Sequence, residues 1–581
     1  MKSVVIFGAG IAGLSAAHEL AELGYRVSVY ETATEPGGFF RSSRLRSDNI
    51  PSEYSWHGIG PWYHNVFDVM KKIPFNEAGS VYDLALSRPI DFGIFPDAGK
   101  AQFYDEGFKS IRKMFGMRKW EFASASYLML KTWTSHHRSR VEYAKVNAAQ
   151  AWKPLLKEQT YHAWRSCFGP WIGSDWSNVS LHTAGDFFRK QFTTKPTHQH
   201  RADQDGPAWT QGAGDGWLLL KGPSSEYWFD PWVKYLAEKG VTFFWEKPLT
   251  KLEFDGIKIV SACSGDEQIQ GDMYILAINP FLMVDILRKT PKLAMQEELK
   301  LFEPLVQGGP HTQVSFRLAF SEEIKLPRKR TAAVISDSEF NLTVFAEEQV
   351  WDKDVDLGQN IKSLWTGTSC IGDFPGRIYH KPVSHCTKEE FIEEVKAQIL
   401  SCGALNRLIQ EANHGKELKD FPIATIEVWH EWKFSRDGIE PLQPKWVNTT
   451  NTQAYMPAQK TPVPNLFLAG AHTQTQAQVW SIEGAVESGR RAAKAIDDRV
   501  PVLDQYRPEW IRFLSNIDDI LYRIKLPQVL DSLFLLVILL FMRMYSVMNR
   551  RLEAGEFWLH TGRDLGVQPR YVQKREVSDP V

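Results

Sequence analysis

Cysteine is scarce and scattered. Cys167, Cys263, Cys370, Cys386 and Cys402 are odd in number, far apart, and form no C-x-x-C pair. That argues against a disulfide framework or a zinc site and fits a reducing compartment. No metal site is expected. An excess of one charge is missing too: 68 Lys and Arg stand against 69 Asp and Glu, so no overall field recruits a polyanion, and nucleic acid is not expected as a partner. No internal repeat or low-complexity segment is evident. A cleavable leader is not expected either, because Gly8, Gly10 and Gly13 interrupt the apolar run after Lys2, and a strand starting at Ser3 explains that run better. A cytoplasmic location is the expectation, with membrane association through the tail.

What the chain has is length and aromatic rings. Its 581 residues exceed what one core organises, so several domains or one large interrupted domain must follow. Its 21 Trp and 34 Phe suit large cores and pockets for bulky apolar ligands. The opening is the most specific stretch. Ser3 to Phe7 is a β-branched strand, Gly8, Ala9, Gly10, Ile11, Ala12 and Gly13 form a turn, Leu14 to Leu23 has helical composition, and Tyr25 to Tyr30 reads as a second strand. In such a unit the first glycine makes the tight turn, the second lets backbone approach a pyrophosphate, and the third lets helix and strand pack closely. The helix N-terminus presents free N–H groups to phosphate oxygens. Glu31 follows the second strand, 23 positions after Gly8, where a carboxylate accepts ribose hydroxyls. An acid there favours an unphosphorylated ribose, hence FAD or NAD over NADP.

The stretch "ETATEPGGFFRSS" adds a second glycine pair, Gly37 and Gly38, which suits a cofactor running past the pyrophosphate toward a flavin. With it the opening resembles the FAD-dependent amine oxidase and phytoene desaturase superfamily. The resemblance implies an α/β fold: a Rossmann-like FAD-binding domain built from discontinuous segments, with an inserted mixed-sheet and helical substrate domain. It also implies that a C-terminal strand and helix return to the N-terminal unit and aim the helix N-terminus at the flavin ring. In "NLFLAGAHTQTQAQVWSIEGAVESGRRAAKAI" the strand is Leu466 to Leu468, the close approach Ala469 and Gly470, and the helix start Ser481 to Ala485, with Glu483 and Gly484 beside the flavin. In the middle, Pro248 and Leu249 resemble the family's backbone contact to adenine, and "DMYILAINP" the strand ending over the cofactor. Two positions depart from the pattern. Phe39 stands where a basic residue usually follows the glycine pair, and Arg41 is the nearby candidate to replace it. Ala471, followed by His472, stands where an acid usually follows Ala-Gly.

Within the superfamily the motifs are closest to plant-type carotene desaturases. Glu53, His57, Tyr63 and Asn65 match those enzymes in order and spacing, and their Ser-Met-Glu-Gly-Ala is one substitution from Ser481-Ile-Glu-Gly-Ala. Amine oxidases place an aromatic wall at the position of Ser481; here Trp480 is adjacent instead. The segment "HTQVSFRLAF" lacks the lysine that many amine oxidases hold near the flavin. The C-terminal motif holds no cysteine, so the FAD is expected to be non-covalent. His57 and Trp480 are the pocket-lining candidates, and no catalytic base is identified.

The family pattern divides the chain into an FAD-binding domain (1–75, 236–290 and 451–500), a substrate domain (76–235 and 291–450) and a tail (501–581). His136 and His137 read as a solvated helix surface, and "KLPRKR" (325–330) as a solvated loop. "LFLLVILLFM" is a run of 10 apolar residues, Leu533 to Met542. A span needs about 20, so an interfacial helix docking peripherally on a membrane is expected, with a buried helix next. The leading functional expectation is hydride transfer from a lipophilic, isoprenoid- or carotenoid-like substrate to flavin N5. The alternatives are a flavin amine oxidase acting on primary or polyamines, and a flavin-free prenyl-lipid-binding chaperone of the same fold.

Overall fold

A computed structural model describes residues 2–87, 90–104, 108–173, 176–194, 217–327, 332–370, 374–435 and 438–564. At its centre is a five-stranded parallel sheet with the spatial order Leu466–Leu468, Met273–Leu276, Ser3–Phe7, Arg26–Tyr30, Thr242–Phe244. Val4, Val5, Ile6 and Phe7 are all buried, as a parallel strand covered on both faces requires. The turn after this strand needs glycine twice. Gly8 has φ +104°, and a Cβ on Gly13 would stand 1.9 Å from the Gly8 carbonyl oxygen, so helix Ile11–Glu22 lies directly against the turn.

The returning helix, Ile482–Ile496, packs on Ile11–Glu22. A Cβ on Gly489 would stand 2.2 Å from the Ala12 carbonyl oxygen, so the two backbones meet there. Arg490 ties three elements together inside this contact. Its Nε donates to Glu19 at 2.8 Å, one guanidinium nitrogen donates to Asn65 Oδ1 at 3.2 Å, and the other pairs with Asp68.

The second sheet has seven strands in the order Ile423–Val428, Val314–Phe320, Ser363–Ser369, Leu342–Ala346, Ala332–Ile335, Phe92–Phe95, Gln102–Phe103. It is mixed, since Phe92–Phe95 runs parallel to Ala332–Ile335 while the other pairs are antiparallel. The chain between the first two Rossmann segments gives this sheet only its last two strands and otherwise folds mainly as helices, among them Lys119–Trp133, Glu158–Ile172 and Leu181–Thr193. Trp152, Trp164, Trp176, Phe168 and Phe188 meet inside them, with Trp164 and Phe168 centroids 4.4 Å apart. Much of the tryptophan in this stretch is therefore core.

The C-terminal tail is not detached at its start. The Leu503 N–H donates to Asn65 Oδ1 at 2.9 Å, and Gln505 Nε2 donates to Glu483 at 2.9 Å. Helix Glu509–Arg523 seats Ile511, Ser515 and Asp518 on the helical insert, where Arg138 Nε donates to Asp518 at 3.3 Å. His136 precedes helix His137–Val141 and is half-exposed, and the His137 N–H donates to Asp519 at 3.0 Å. No metal-ligand cluster occurs among the described residues. Of "KLPRKR", Arg328, Lys329 and Arg330 lie outside the described residues. The apolar run lies in one long helix, Val529–Asp564. Val529 is buried and Asp531 pairs with Lys131 at 2.8 Å, but from Leu533 to Met548 the helix is exposed. It is therefore not a buried core helix.

Candidate active site

A cavity of about 620 Å³ runs from the carboxyl edge of the parallel sheet toward the second sheet. Such an edge is where open α/β sheets bind ligands. Gly8, Gly10, Ile11, Ala12, Glu31, Gly37, Gly38, Arg41, Leu249 and Gly470 line it, and so do His57 and Trp480. Its floor is bare backbone: a Cβ on Gly38 would start 3.4 Å from Gly10 Cα and occupy the space between the two loops. Helix Ile11–Glu22 opens onto this floor with Gly10 as its N-cap and no capping side chain. Its first N–H groups are therefore available to an anion. The floor and the helix end fit a dinucleotide pyrophosphate.

Ala9, Gly13, Glu483 and Gly484 do not line the cavity. Ala9 acts from behind, its N–H donating to Glu31 Oε2 at 2.6 Å and its carbonyl accepting from the Gly37 N–H at 2.9 Å. Glu31 also accepts from the Ala33 N–H at 2.9 Å. Burial raises its carboxyl above the usual range, against those two N–H groups. Glu483 points away from the cavity, toward helix His64–Met70. Its carboxylate accepts from the Asn65 and Val66 N–H groups, both at 3.1 Å, and from Asn65 Nδ2 at 2.8 Å. Gly484 is spent on the cap, its N–H donating to Ser481 Oγ at 3.1 Å. From this helix Ser481, Ile482 and Ala485 face the cavity instead.

The two departures from the family pattern fall on the cavity wall. Phe39 packs edge-on against Tyr54 and Trp480, with centroids 4.9 and 6.0 Å away. Arg41, close by, donates to the Gly38 carbonyl at 3.0 Å, pairs with Glu431, and lies 5.6 Å over Trp429. Ala471 and His472 both line the cavity. The His472 ring covers Gly470, where a Cβ would stand 2.4 Å from it, and burial pushes its pKa down to about 3. Ala471 stands at the family's acid position, and the buried His472 ring lies beside it.

His57 is held at both nitrogens. Nδ1 lies 3.2 Å from Glu53 Oε2 and Nε2 lies 3.2 Å from the Phe39 carbonyl oxygen, with the ring 3.8 Å from that of Phe40. Both ring nitrogens are thus engaged within the protein. Behind it, Glu53 meets Arg317 at 3.4 Å, and Arg317 meets Glu347 at 3.5 Å. Burial raises both carboxyls. At Glu53 Arg317 and His57 outweigh it and hold the group below the usual range, while at Glu347 burial prevails and pushes it to about 7.

The group that the motif reading missed is Lys445. It is buried at the cavity wall, donating to the Gly173 carbonyl at 2.7 Å and to Gln313 Oε1. Nζ lies 4.2 Å from the Trp480 ring centroid and 5.9 Å from that of Tyr54. Burial pushes its pKa down to about 7. The segment 311–320 offers no lysine, yet its Gln313 is what holds one supplied from 132 positions downstream. In the sequence Lys445 stands between Pro444 and Trp446, outside every motif of the family pattern.

Comparison with known proteins places this geometry. Residues 6–73 match the NAD(P)-binding Rossmann-like domain, and residues 380–497 match the flavin containing amine oxidoreductase family. The probable zeta-carotene desaturase of Synechococcus elongatus is 22% identical, over 85% of this chain and 98% of its own. The zeta-carotene desaturase of Solanum lycopersicum is 22% identical, over 85% and 80%. Among solved structures, a putrescine oxidase bound to putrescine has the same fold at 14% identity, with a TM-score of 0.56 over 86% of this chain and 99% of that one.

Proposed function

The chain belongs to the flavin-containing amine oxidoreductase superfamily, and from that premise we propose that it is an FAD-dependent desaturase or dehydrogenase of a lipophilic, isoprenoid- or carotenoid-like molecule. FAD, when bound, supplies a two-electron acceptor for hydride. The glycine floor and the uncapped helix Ile11–Glu22 would hold its pyrophosphate, Glu31 its ribose, and the first turn of Ile482–Ile496 the ring, with no covalent link. No cysteine lines the cavity among the described residues.

The observation that carries the choice of substrate is Lys445 on Trp480. In an amine oxidase, facing aromatic rings receive the substrate's ammonium. Here the Lys445 amine already sits on that ring, 4.2 Å from its centroid, and it repels a second cation whenever it is protonated. Around it Tyr54, Trp56, Trp62, Phe187 and Trp217 give walls suited to a hydrocarbon chain. Burial pushes the Lys445 pKa down to about 7, which lets its amine accept a proton near neutrality, and Gln313 and Gly173 hold it in place. Apolar walls supply position, and Lys445 supplies proton acceptance.

Oxidation of an amine is the competing reading, favoured by the aromatic group Phe39, Tyr54 and Trp480 and opposed by the lysine within it. Product analysis separates them. Loss of two hydrogens from a polyene lipid, found by mass, supports the desaturase, whereas aldehyde and peroxide formed from a polyamine support the oxidase.

A further inference from the structure

The geometry points to a single-pass membrane anchor at the C-terminal end. The exposed stretch Leu533–Met548 crosses a bilayer, Glu509–Arg523 lies along the interface at its foot, and a basic cavity beside that foot takes the phosphate of an anionic lipid headgroup. Three observations carry it, and none depends on the substrate.

The first is the helix itself. Val529–Met548 is 20 residues long, with mean hydropathy 1.9 and 6% of it buried. Its first turn stays on the protein, with Val529 buried and Asp531 paired with Lys131, so at about 1.5 Å per residue the exposed stretch Leu533–Met548 measures about 24 Å, which a bilayer core of about 30 Å meets by local thinning. Leu533, Phe534, Leu535, Leu536, Val537 and Ile538 are consecutive and all exposed, so every face of the helix is apolar. A protein groove or a second copy would cover one stripe of such a helix, whereas lipid covers all of it. The ten-residue run undercounted this segment because apolar sequence resumes after Arg543 with Met544, Tyr545, Val547 and Met548. An arginine this near the end of a span reaches the headgroups along its own stem.

The second is the preceding helix. Trp510, Phe513, Ile517, Ile520 and Ile524 are spaced by three and four residues, which confines them to one stripe of about 80°. Phe513, Ile520 and Ile524 are each 60% exposed or more. The opposite side, Ile511, Ser515 and Asp518, is the one seated on the protein. A helix seated on one side and apolar on the other, leading directly into a span, has the form of an interfacial helix.

The third is a cavity of about 720 Å³ between helix His137–Val141 and the end of Glu509–Arg523, lined by His136, Arg138, Asp519, Arg523 and Lys525 among others. Arg138 is committed to Asp518 and Glu142. The side chains of Arg523 and Lys525 have no hydrogen bond or ion pair among the described residues. Two uncommitted cations a few residues before a span suit a lipid phosphate at headgroup depth.

The test uses the full-length holoenzyme, reconstituted into vesicles of phosphatidylcholine alone or with phosphatidylglycerol added, then floated before and after an alkaline carbonate wash. The expected result is flotation that resists carbonate with both lipids. Leu536→Arg with Leu540→Arg, both at exposed positions, should abolish that resistance while the flavin absorbance stays intact. Arg523→Gln with Lys525→Gln should keep insertion but lose about tenfold of the preference for phosphatidylglycerol. Wild-type protein stripped by carbonate would overturn the span. A detergent-free dimer that becomes monomeric in the Leu536→Arg, Leu540→Arg variant would assign the helix to a second copy instead. Equal behaviour of the Gln variant and wild type on both lipids would overturn the headgroup site.

Discussion

Asn65 and Glu483 meet across 418 positions of sequence, Asn65 Nδ2 donating to Glu483 Oε1 at 2.8 Å in the interior of the protein. Asn65 also accepts from the Leu503 N–H and from Arg490, so one side chain joins the second N-terminal helix, the returning helix and the start of the tail. This contact explains why a chain that opens with a complete nucleotide-binding turn needs a second strand and helix so far downstream. The returning element completes the cavity wall with one face and locks the separated segments with the other.

Glu483→Gln therefore tests a structural role. Both carboxylate oxygens accept hydrogen bonds, and an amide would set its NH2 against a backbone N–H. The variant should lose about 1–3 kcal/mol of stability. Thermal unfolding checks this, with the dissociation constant for FAD expected to change little in protein that remains folded.

Glu31→Ala should lower both FAD affinity and stability, because it also leaves the Ala9 and Ala33 N–H groups without their acceptor. It removes the carboxylate proposed to accept the ribose hydroxyls, and one charge-assisted hydrogen bond is worth about 1.5–3 kcal/mol. FAD affinity should fall about tenfold to a hundredfold, as read by flavin fluorescence titration.

Gly489→Ala would place a methyl 2.2 Å from the Ala12 carbonyl oxygen, where backbone and not a movable side chain stands in the way. Separating the two helices should cost about 1–3 kcal/mol. Chemical denaturation should show a lower midpoint with an unchanged slope.

These elements were unequally legible in the sequence. The opening turn was readable because its glycines and Glu31 act within one local unit. The returning helix was readable by composition, but its motif did not say which way each residue points. Ile482 and Ala485, three apart, share the cavity face, and Glu483 between them is turned toward Asn65. Lys445 was hidden because its partners Gln313 and Gly173 are 132 and 272 positions away, so only the assembled second sheet and helical insert bring them together. The length of the last helix was not legible from its ten-residue apolar run because one arginine interrupts that run without ending the helix.

Lys445 also sets a pH dependence. Below about pH 7 the folded and unfolded chains both hold its proton, so the cost of burying the charge is present in full. From there up to the ordinary lysine value of about 10.4, only the unfolded chain holds it, and the fold gains stability as pH rises. Lys445→Met should flatten that rise in a series of thermal melts. It should also lower turnover and remove an acidic limb near pH 7 from its pH profile, which wild type is expected to show if the neutral amine is the proton acceptor as proposed.

The most direct measurement is the absorption spectrum of the purified full-length protein, followed under anaerobic conditions as polyamines and then polyene lipids are added. The account expects a flavin band that the amines leave unchanged and that the lipids bleach. Bleaching by amines would contradict it and assign the cavity to amine oxidation. The absence of any flavin band, even after FAD is supplied, would contradict it more deeply, leaving a lipid-binding protein built on an oxidoreductase fold.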